Sequence, residues 1–416
     1  MPNRSNPEEM SKRFIVIGMP DVSKGVTLPE TLPDAVFSGG RRHHELVKGL
    51  LPAGAPWIDI TVPLSDVFAQ YARTEKPIVV FASGDPLFFG FANTIRREIP
   101  DAEIQVFPSF NSLQMLAHRL VMPYHDMTIV SLTGRPWHEF DRALIERRQK
   151  IGVLTDGEHT PAAIAQRMLE YGYDNYRMSI GEHLGSETEE RVATCSLEEA
   201  AHGTFQRPNC LILEMSEGCC GVAHKPLGIP DHQFALLDGR EKMITKAPIR
   251  LLTLAALELQ NRRSLWDIGF CTGSVSIEAR LQFPHLHVTA FEIREEGRRL
   301  MEMNSHRFQA PGITTIIGDF INVSVDDCAP PDAVFIGGHG GRLREMMAKA
   351  AKALLPGGVV VYNCVDPRSI TDERIRTDSR QVFETAAREL GLVLEEPMRV
   401  AINDYHPIMI LKARKS

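Results

Sequence analysis

The sequence predicts an α/β protein built from two successive layered series, and three observations carry that expectation. Short apolar runs alternate with amphipathic stretches along the whole chain. A break rich in glycine, proline and cysteine at 214–230 interrupts the rhythm. Beyond it, an apolar run enters a glycine loop and then a helical pattern at 266–274. Alternation of strand and helix implies a sheet covered by helices.

In the first series, residues 14–17, 78–81, 128–132, 151–154 and 211–213 read as buried strands. Between them, 87–97, 112–119 and 161–171 carry helical spacing of apolar residues. The break holds Gly218, Cys219, Cys220, Gly221, Pro226, Gly228 and Pro230, which mark a linker. The predicted organisation is a domain at 12–215, in two lobes split near 110, a linker at 216–235 and a second domain at 236–416. The second series opens with a helix around 249–259. Strands follow at 265–268, 288–292, 314–317, 333–336 and 359–363, with late strands near 392–400 and 408–412. Strand order stays open.

The composition narrows the function classes. The chain has 416 residues, 43% hydrophobic and 24% charged, which suits two or three globular domains. A net charge of −7 argues against a general nucleic-acid binder. It leaves room for a local basic pocket that takes an anionic small substrate. The seven cysteines include no C-x-x-C pair, so no structural zinc site is expected and the thiols read as reduced. Residues 1–12 lack the apolar core of a signal peptide, and no apolar run is long enough for a membrane span. The expectation is a cytoplasmic protein with no metal, no membrane and no nucleic-acid partner.

The sharpest chemical signal is W-D-I-G-F-C-T-G-S at 266–274. Gly269 and Gly273 let a ligand approach the main chain. Glu292, at the end of the next predicted strand, can accept hydrogen bonds from both hydroxyls of a ribose. Asp319 closes the third strand, within reach of an adenine amino group. A glycine loop by itself can be an ordinary turn; three candidates at successive strand ends point to a nucleoside. The G-x-G-x-x-G fingerprint of pyrophosphate binding is missing, which favours S-adenosylmethionine over a dinucleotide. After the strand at 333–336, the run Gly337, Gly338, His339, Gly340, Gly341 leaves space for a large flat substrate. His339 reads either as an acid or base or as a solvated loop residue.

In the first half, A-S-G-D-P-L-F-F-G at 82–90 follows a strand. Gly84 permits a sharp turn, Pro86 suits the first turn of the next helix, and Asp85 can cap that helix or orient a ligand. This loop resembles the hallmark loop of the tetrapyrrole methylases. F-S-G-G-R-R-H at 37–43, P-S-F-N-S at 108–112, S-L-T-G-R-P at 131–136 and L-T-D-G-E-H-T-P at 154–161 resemble the branch acting late in corrin synthesis. I-T-K at 244–246, the 266–279 run and V-F-I-G-G at 334–338 resemble that branch's usual fusion partner. The likeness spans about residues 12–412 in order.

The resemblance implies a two-lobed tetrapyrrole methylase domain with S-adenosylmethionine between its lobes, followed by a Rossmann-like class I methyltransferase domain. It implies one S-adenosylmethionine site per domain. It also implies methylation of two meso carbons of a precorrin or cobalt-precorrin, with loss of carbon dioxide from an acetate side chain. One methylation and the decarboxylation fall to the second half. Cofactor candidates are then Gly84, Asp85 and Ser112, and in the second half Asp267, Gly269, Thr272, Gly273, Glu292, Asp319 and Gly337. Because the substrate carries many carboxylates, Arg41, Arg42, His43, Arg135 and Lys246 are the substrate candidates. Arg250, one turn after Lys246, is a further cation, and Glu158 and Glu182 are possible acids or bases. Relatives of both halves tend to associate, which implies a homo-oligomer. The chain departs from the family at three places. Its initial G-x-G is reduced to Gly18 within 17–21, the central loop glycine is Cys271, and His339 replaces a small polar residue. Two other readings stay open. One is a class I RNA or protein methyltransferase with an N-terminal binding module, against which the charge and the absence of N-P-P-Y count. The other is a non-catalytic tetrapyrrole-binding protein.

Overall fold

A computed structural model describes residues 11–19, 34–216, 226–240, 243–366, 379–403 and 406–416. Pro20, Asp21 and the Gly218–Gly221 part of the expected linker lie outside the described residues. The chain forms two compact units. The described residues through Arg135, with Gln149–Gln166 and Tyr176–Met215, make unit 1. Pro136–Arg148, Arg167–Asn175 and the described residues from Ser216 onward make unit 2.

Unit 1 contains two five-stranded sheets. The first comprises β1 (Arg13–Met19), β2 (Val36–Gly39), β3 (Trp57–Asp59), β4 (Ile78–Ser83) and β5 (Glu103–Phe107), in the order β3-β2-β4-β1-β5. All of its pairings are parallel. Helices α1 (Arg41–Val47), α2 (Leu64–Arg73), α3 (Phe91–Glu98) and α4 (Ser112–Arg119) accompany it. Strands β1 and β4 are almost uninterrupted runs of buried apolar residues, as expected of a parallel sheet covered on both faces. The second sheet comprises β6 (Thr128–Ser131), β7 (Lys150–Leu154), β8 (Tyr176–Glu182), β9 (Arg191–Ser196) and β10 (Asn209–Met215), in the order β6-β7-β10-β8-β9. Only β6 and β7 run parallel there. Helices α5 (His138–Ile145), α6 (Pro161–Glu170) and α7 (Leu197–Ala201) lie along this stretch of chain, with α5 belonging to unit 2.

Unit 2 carries one eight-stranded sheet. Its strands are β11 (Ser264–Ile268), β12 (His287–Glu292), β13 (Ile313–Ile317), β14 (Ala333–Ile336), β15 (Val359–Val365), β16 (Leu392–Leu394), β17 (Met398–Val400) and β18 (Ile408–Lys415). The order is β13-β12-β11-β14-β15-β18-β16, with β17 also on β18. The first five are parallel and β18 runs against β15. Helices α8 (Ala247–Leu257), α9 (Ser274–Gln282), α10 (Glu296–Arg307), α11 (Leu343–Ala353) and α12 (Ser379–Glu389) cover it. Alternate residues of the central strands enter two separate cores, as the two-residue period of a strand requires. Trp266, Ile268, Val334, Ile336 and Val360 pack with Met347 of α11 and Phe383 of α12. Leu265, Ala333, Phe335 and Val361 pack with Leu254 of α8 and Ala279 of α9. The chain runs from β11 outward to β13 and resumes on the other side at β14. That reversal opens a crevice at the carboxyl ends of β11 and β14, where ligands bind in open α/β sheets.

The expected strands are present, and the Rossmann-like class is observed in unit 2. One expected helix starts late. Residues 87–97 carry a helical pattern, yet α3 begins at Phe91. Asp85 Oδ1 accepts the Leu87 N–H at 2.8 Å and the Asp85 carbonyl accepts the Phe88 N–H at 3.0 Å. Phe89 then takes φ +53°. A side-chain-closed turn followed by a left-handed residue cannot propagate a helix. Asp85 therefore closes the turn rather than capping α3, and Pro86 sits in that turn. Among the described residues no helix is long and apolar enough to cross a membrane.

Candidate functional site

In unit 2, β11 delivers the chain into the crevice as a tight loop. Gly269 has φ +76° and Gly273 φ +75°. A Cβ at Gly269 would stand 2.7 Å from the backbone N and O of Gly338, so glycine there lets the loops after β11 and β14 touch. Gly337 donates its N–H to the Ile268 carbonyl at 2.8 Å, which brings the two loops to one point. Asn304 of α10 holds the base of the loop, donating to Thr272 O at 2.9 Å and to Ala235 O at 3.1 Å.

Glu292 is buried at the end of β12. Its Oε2 accepts the Cys271 N–H at 2.9 Å, and its Oε1 accepts from the Arg294 N–H and guanidinium, each at 3.1 Å. Cys271 itself has φ +52°, the left-handed region where a Cβ is costly. Its side chain packs with Leu237 and Leu300. Burial, with Glu292 nearby, pushes the thiol up to about 11, so it stays protonated at neutral pH. Asp267 is fully buried on β11, and Ser276 Oγ donates to its Oδ2 at 2.5 Å. Burial raises this carboxyl to about 7. Asp267 Oδ1 and Thr272 Oγ1 are buried without a hydrogen-bond partner. Buried polar atoms are almost always paired, so two orphans beside a glycine loop fit a polar ligand at this place.

Gly318 donates its N–H to Glu292 O at 2.8 Å, setting Asp319 beside that strand end. The Ile321 N–H and then the Arg342 guanidinium hold the Asp319 carboxyl below its usual range. The Arg342 contact is 2.7 Å. Residues Asp267, Gly269, Thr272, Gly273, Glu292, Asp319 and Gly337 thus gather at one crevice.

Next to it lies a cavity of about 650 Å³ whose walls include Lys246, Ile249, Phe335, Gly337, Asn363 and His406. Lys246 and Gly337 therefore face the same space, with Lys246 Nζ 3.7 Å from Asp231 Oδ2. Asn363 and His406 were not singled out from the sequence, because no motif marks them. Arg250 is a correction. It is 0% exposed, and its Nε donates to Glu278 Oε2 at 2.5 Å. Its other nitrogens donate to Asp231 Oδ1, Thr245 O and Ile229 O. A guanidinium so occupied binds its own fold and no substrate. His339 is half-buried. Its Nδ1 accepts the Gly341 N–H at 3.0 Å, its ring meets Tyr362 edge-on, and burial lowers its pKa.

In unit 1, the register pairs Gly18 with Ala82 and Met19 with Ser83, so β1 and β4 end together. A Cβ at Gly18 would lie within 2.7 Å of Ser109 N and closer still to Gly84 O, so only glycine fits this place in the first strand. A pocket of about 160 Å³ opens at these strand ends. Its lining includes Met19, Gly84, Asp85, Asn111, Ser112 and Asn209. Gly84, Asp85 and Ser112 are thus together. Asn111, quoted above only as part of P-S-F-N-S, is a further lining residue with a readable signal of its own: N-x-x-Q is a capping box. Its Oδ1 accepts the Gln114 N–H at 2.9 Å, and Gln114 Oε1 accepts the Asn111 N–H at 3.0 Å.

Of the cationic candidates here, His43 Nε2 lies 2.9 Å from Ser83 Oγ, and Ser83 lines the pocket. Arg41 and Arg42 are exposed on α1. Arg135 donates to Ser131 Oγ at 2.7 Å. The loops at 131–136 and 154–161 meet through Asp156, which accepts the N–H groups of Gly134, Glu158 and His159. Burial opposes its charge, but these donors outweigh it and hold the carboxyl low. Glu158 is exposed, and Glu182 is buried and accepts the Gln206 N–H.

Comparison with known proteins finds two families in succession along the chain. Residues 34–201 match the family described as tetrapyrrole (corrin/porphyrin) methylases, and residues 238–381 match the precorrin methyltransferase domain. The chain is 32% identical over 369 residues to the precorrin-6Y C(5,15)-methyltransferase [decarboxylating] of Sinorhizobium sp, covering 87% of each chain. It is 42% identical over 129 residues to the cobalt-precorrin-6B C(15)-methyltransferase (decarboxylating) of Salmonella typhimurium, covering 31% of this chain and 66% of the relative. It is 30% identical over 181 residues to the cobalt-precorrin-7 C(5)-methyltransferase of the same organism, covering 42% and 86%.

Proposed function

The chain belongs to the precorrin-6Y C(5,15)-methyltransferase (decarboxylating) family, and we propose from its two sites that the units divide that chemistry. Unit 2 methylates C15 and decarboxylates an acetate side chain, and unit 1 methylates C5. Each unit holds its own S-adenosylmethionine. Two relatives in Salmonella with separate C(15) and C(5) names support this division. What supports the unit 2 part is the cavity shared by Lys246 and Gly337, which puts a cation next to the loops after β11 and β14.

Bound S-adenosylmethionine supplies a methyl group already activated on a sulfonium. The chain's own work is to hold the two reactants together and exclude water. In unit 2, Glu292 takes the ribose hydroxyls and Asp319 the adenine edge, while Gly269 and Gly273 admit the ligand to the main chain. Asp267 and Thr272 offer the unpaired oxygens. Lys246 pairs with a carboxylate of the macrocycle, and Ile249 and Phe335 give the ring an apolar wall. That wall also disfavours a charged carboxylate and so favours its loss as carbon dioxide; the bonding pair passes into the conjugated macrocycle, and a proton from solvent takes the carboxylate's place. In unit 1, Gly84, Asp85 and Ser112 hold the cofactor. His43, Arg41, Arg42 and Arg135 meet the carboxylates. The partner is a tetrapyrrole, and self-association is the expected state in solution.

The test is mass spectrometry of the macrocycle after incubation with S-adenosylmethionine, using metal-free and cobalt-bearing precorrins. Two methyl gains with loss of carbon dioxide are expected. One methyl gain with decarboxylation would show unit 1 to be silent. An unchanged mass for both substrates, with folded protein, would overturn the reading.

A further inference from the structure

Phe89 combines a left-handed backbone with an exposed aromatic side chain. Its backbone has φ +53°, a conformation that a bulky side chain adopts only under constraint. Its ring is nevertheless 47% exposed, so burial does not account for the constraint. Val121 is left-handed because it ends a helix; Phe89 ends none, and strain of that kind clusters at ligand sites.

The ring is not loose. Phe88, whose side chain helps line the unit 1 pocket, braces it edge-on with ring centroids 5.2 Å apart. The Arg135 guanidinium lies 5.1 Å from the ring centroid. Arg135 is itself tied down by its 2.7 Å hydrogen bond to Ser131 Oγ. Phe110, 58% exposed, is a second outward aromatic ring that lines the pocket. Phe89 and Arg135 do not themselves line the pocket; next to the pocket-lining Phe88 they offer a braced flat apolar ring with a cation beside it. A flat conjugated ligand bearing carboxylates is complementary to both parts: the ring system stacks, and a carboxylate meets the guanidinium.

We propose that Phe89, with Arg135 beside it, is the shelf that receives the face of the tetrapyrrole in unit 1, and that its left-handed backbone turns the ring outward for that purpose. This inference rests on the function proposed above. Phe89 positions substrate and takes no part in bond making.

The test is Phe89→Gly in the full chain, assayed by methyl transfer to the precorrin and by thermal melting. Glycine accepts the positive φ, so the melting midpoint is held or raised. Loss of the ring raises KM for the macrocycle by about tenfold, a typical worth of one aromatic contact. KM for S-adenosylmethionine and kcat change little. Phe89→Tyr restores most of the lost affinity. Val121→Gly is the control, because Val121 has the same φ of +53°, is 90% exposed and carries no aromatic ring. It should raise the midpoint and leave both KM values alone. An unchanged KM for the macrocycle in Phe89→Gly, with normal wild-type turnover, would overturn the shelf alone. A collapsed melting midpoint would overturn it too, by showing the ring to be structural. A wild-type chain that adds no methyl at C5 would remove the function of unit 1 and the shelf with it.

Discussion

The Cys271 N–H donates to Glu292 Oε2 at 2.9 Å. The carboxylate proposed to read a ribose thus also holds the glycine loop in shape. Cofactor recognition and loop geometry are therefore coupled through one side chain.

Glu292→Gln should separate the two roles. Its amide oxygen can still accept from Cys271, but its NH2 then faces the Arg294 donors that Oε1 accepted, so stability should fall by about 1 kcal/mol. The lost charge should weaken S-adenosylhomocysteine binding at unit 2 by roughly tenfold, since charge-assisted hydrogen bonds are about twice as strong as neutral ones. Glu292→Ala leaves a buried N–H unpaired and should cost about 1–3 kcal/mol as well. Calorimetry and urea unfolding measure the two terms. Equal losses in both variants would show the charge to be irrelevant.

Cys271→Gly should be close to neutral although the residue is buried. Removing a Cβ from a left-handed position gains about 1–2 kcal/mol. Losing the thiol's packing on Leu237 and Leu300, and the extra freedom of glycine in the unfolded chain, takes back a similar amount. A loss above about 2 kcal/mol would show that packing, not the backbone, governs the site.

Asp267 predicts a pH signature. Its folded value of about 7 lies above the usual carboxyl value, because burial disfavours the charge. The folded state therefore holds a proton that the unfolded state has released. This contribution to stability is full below about pH 4 and is lost as pH rises toward about 7. Asp267→Asn removes that dependence. Its melting midpoint relative to the parent should be higher at about pH 8 than at about pH 5. A constant difference would contradict the raised value.

Arg250 tests the correction made above. Arg250→Met strands the fully buried Glu278 carboxylate and should cost about 3–5 kcal/mol. Arg250→Met with Glu278→Leu should recover much of that, since a buried pair replaced by apolar groups is often neutral. Denaturant unfolding of the three chains decides it. A stable single variant with a raised KM for the macrocycle would return Arg250 to the substrate.

Val121 ends α4 in the position normally given to glycine. Met122 N–H donates to Ala117 O at 2.9 Å, and Val121 N–H to His118 O at 3.2 Å. These are the two bonds of the Schellman motif. A β-branched residue at φ +53° is strained there. Val121→Gly should stabilise unit 1 by about 1 kcal/mol, visible as a raised melting midpoint.

Much of the site was legible because its signals are local. A strand, a glycine loop and a helix at 264–282 are contiguous, and so is the turn at 82–90. Glu292 and Asp319 were readable because strand ends fall at regular spacing. The same logic failed for Arg250, whose partner Glu278 is 28 residues away. It also failed for Phe89, where an apolar residue in a helical pattern proved to be an outward ring at positive φ.

The sequence by itself determined the alternating α/β class, the main central strands and the family of the two halves, because periodicity and short motifs report on neighbours along the chain. Tertiary structure alone decided that β14 lies beside β11, which opens the crevice, and that Lys246 shares a cavity with Gly337 while Arg250 is consumed by Glu278. Those outcomes depend on which distant segments pair. A hydrophobic pattern shows that a face is buried, but not against what.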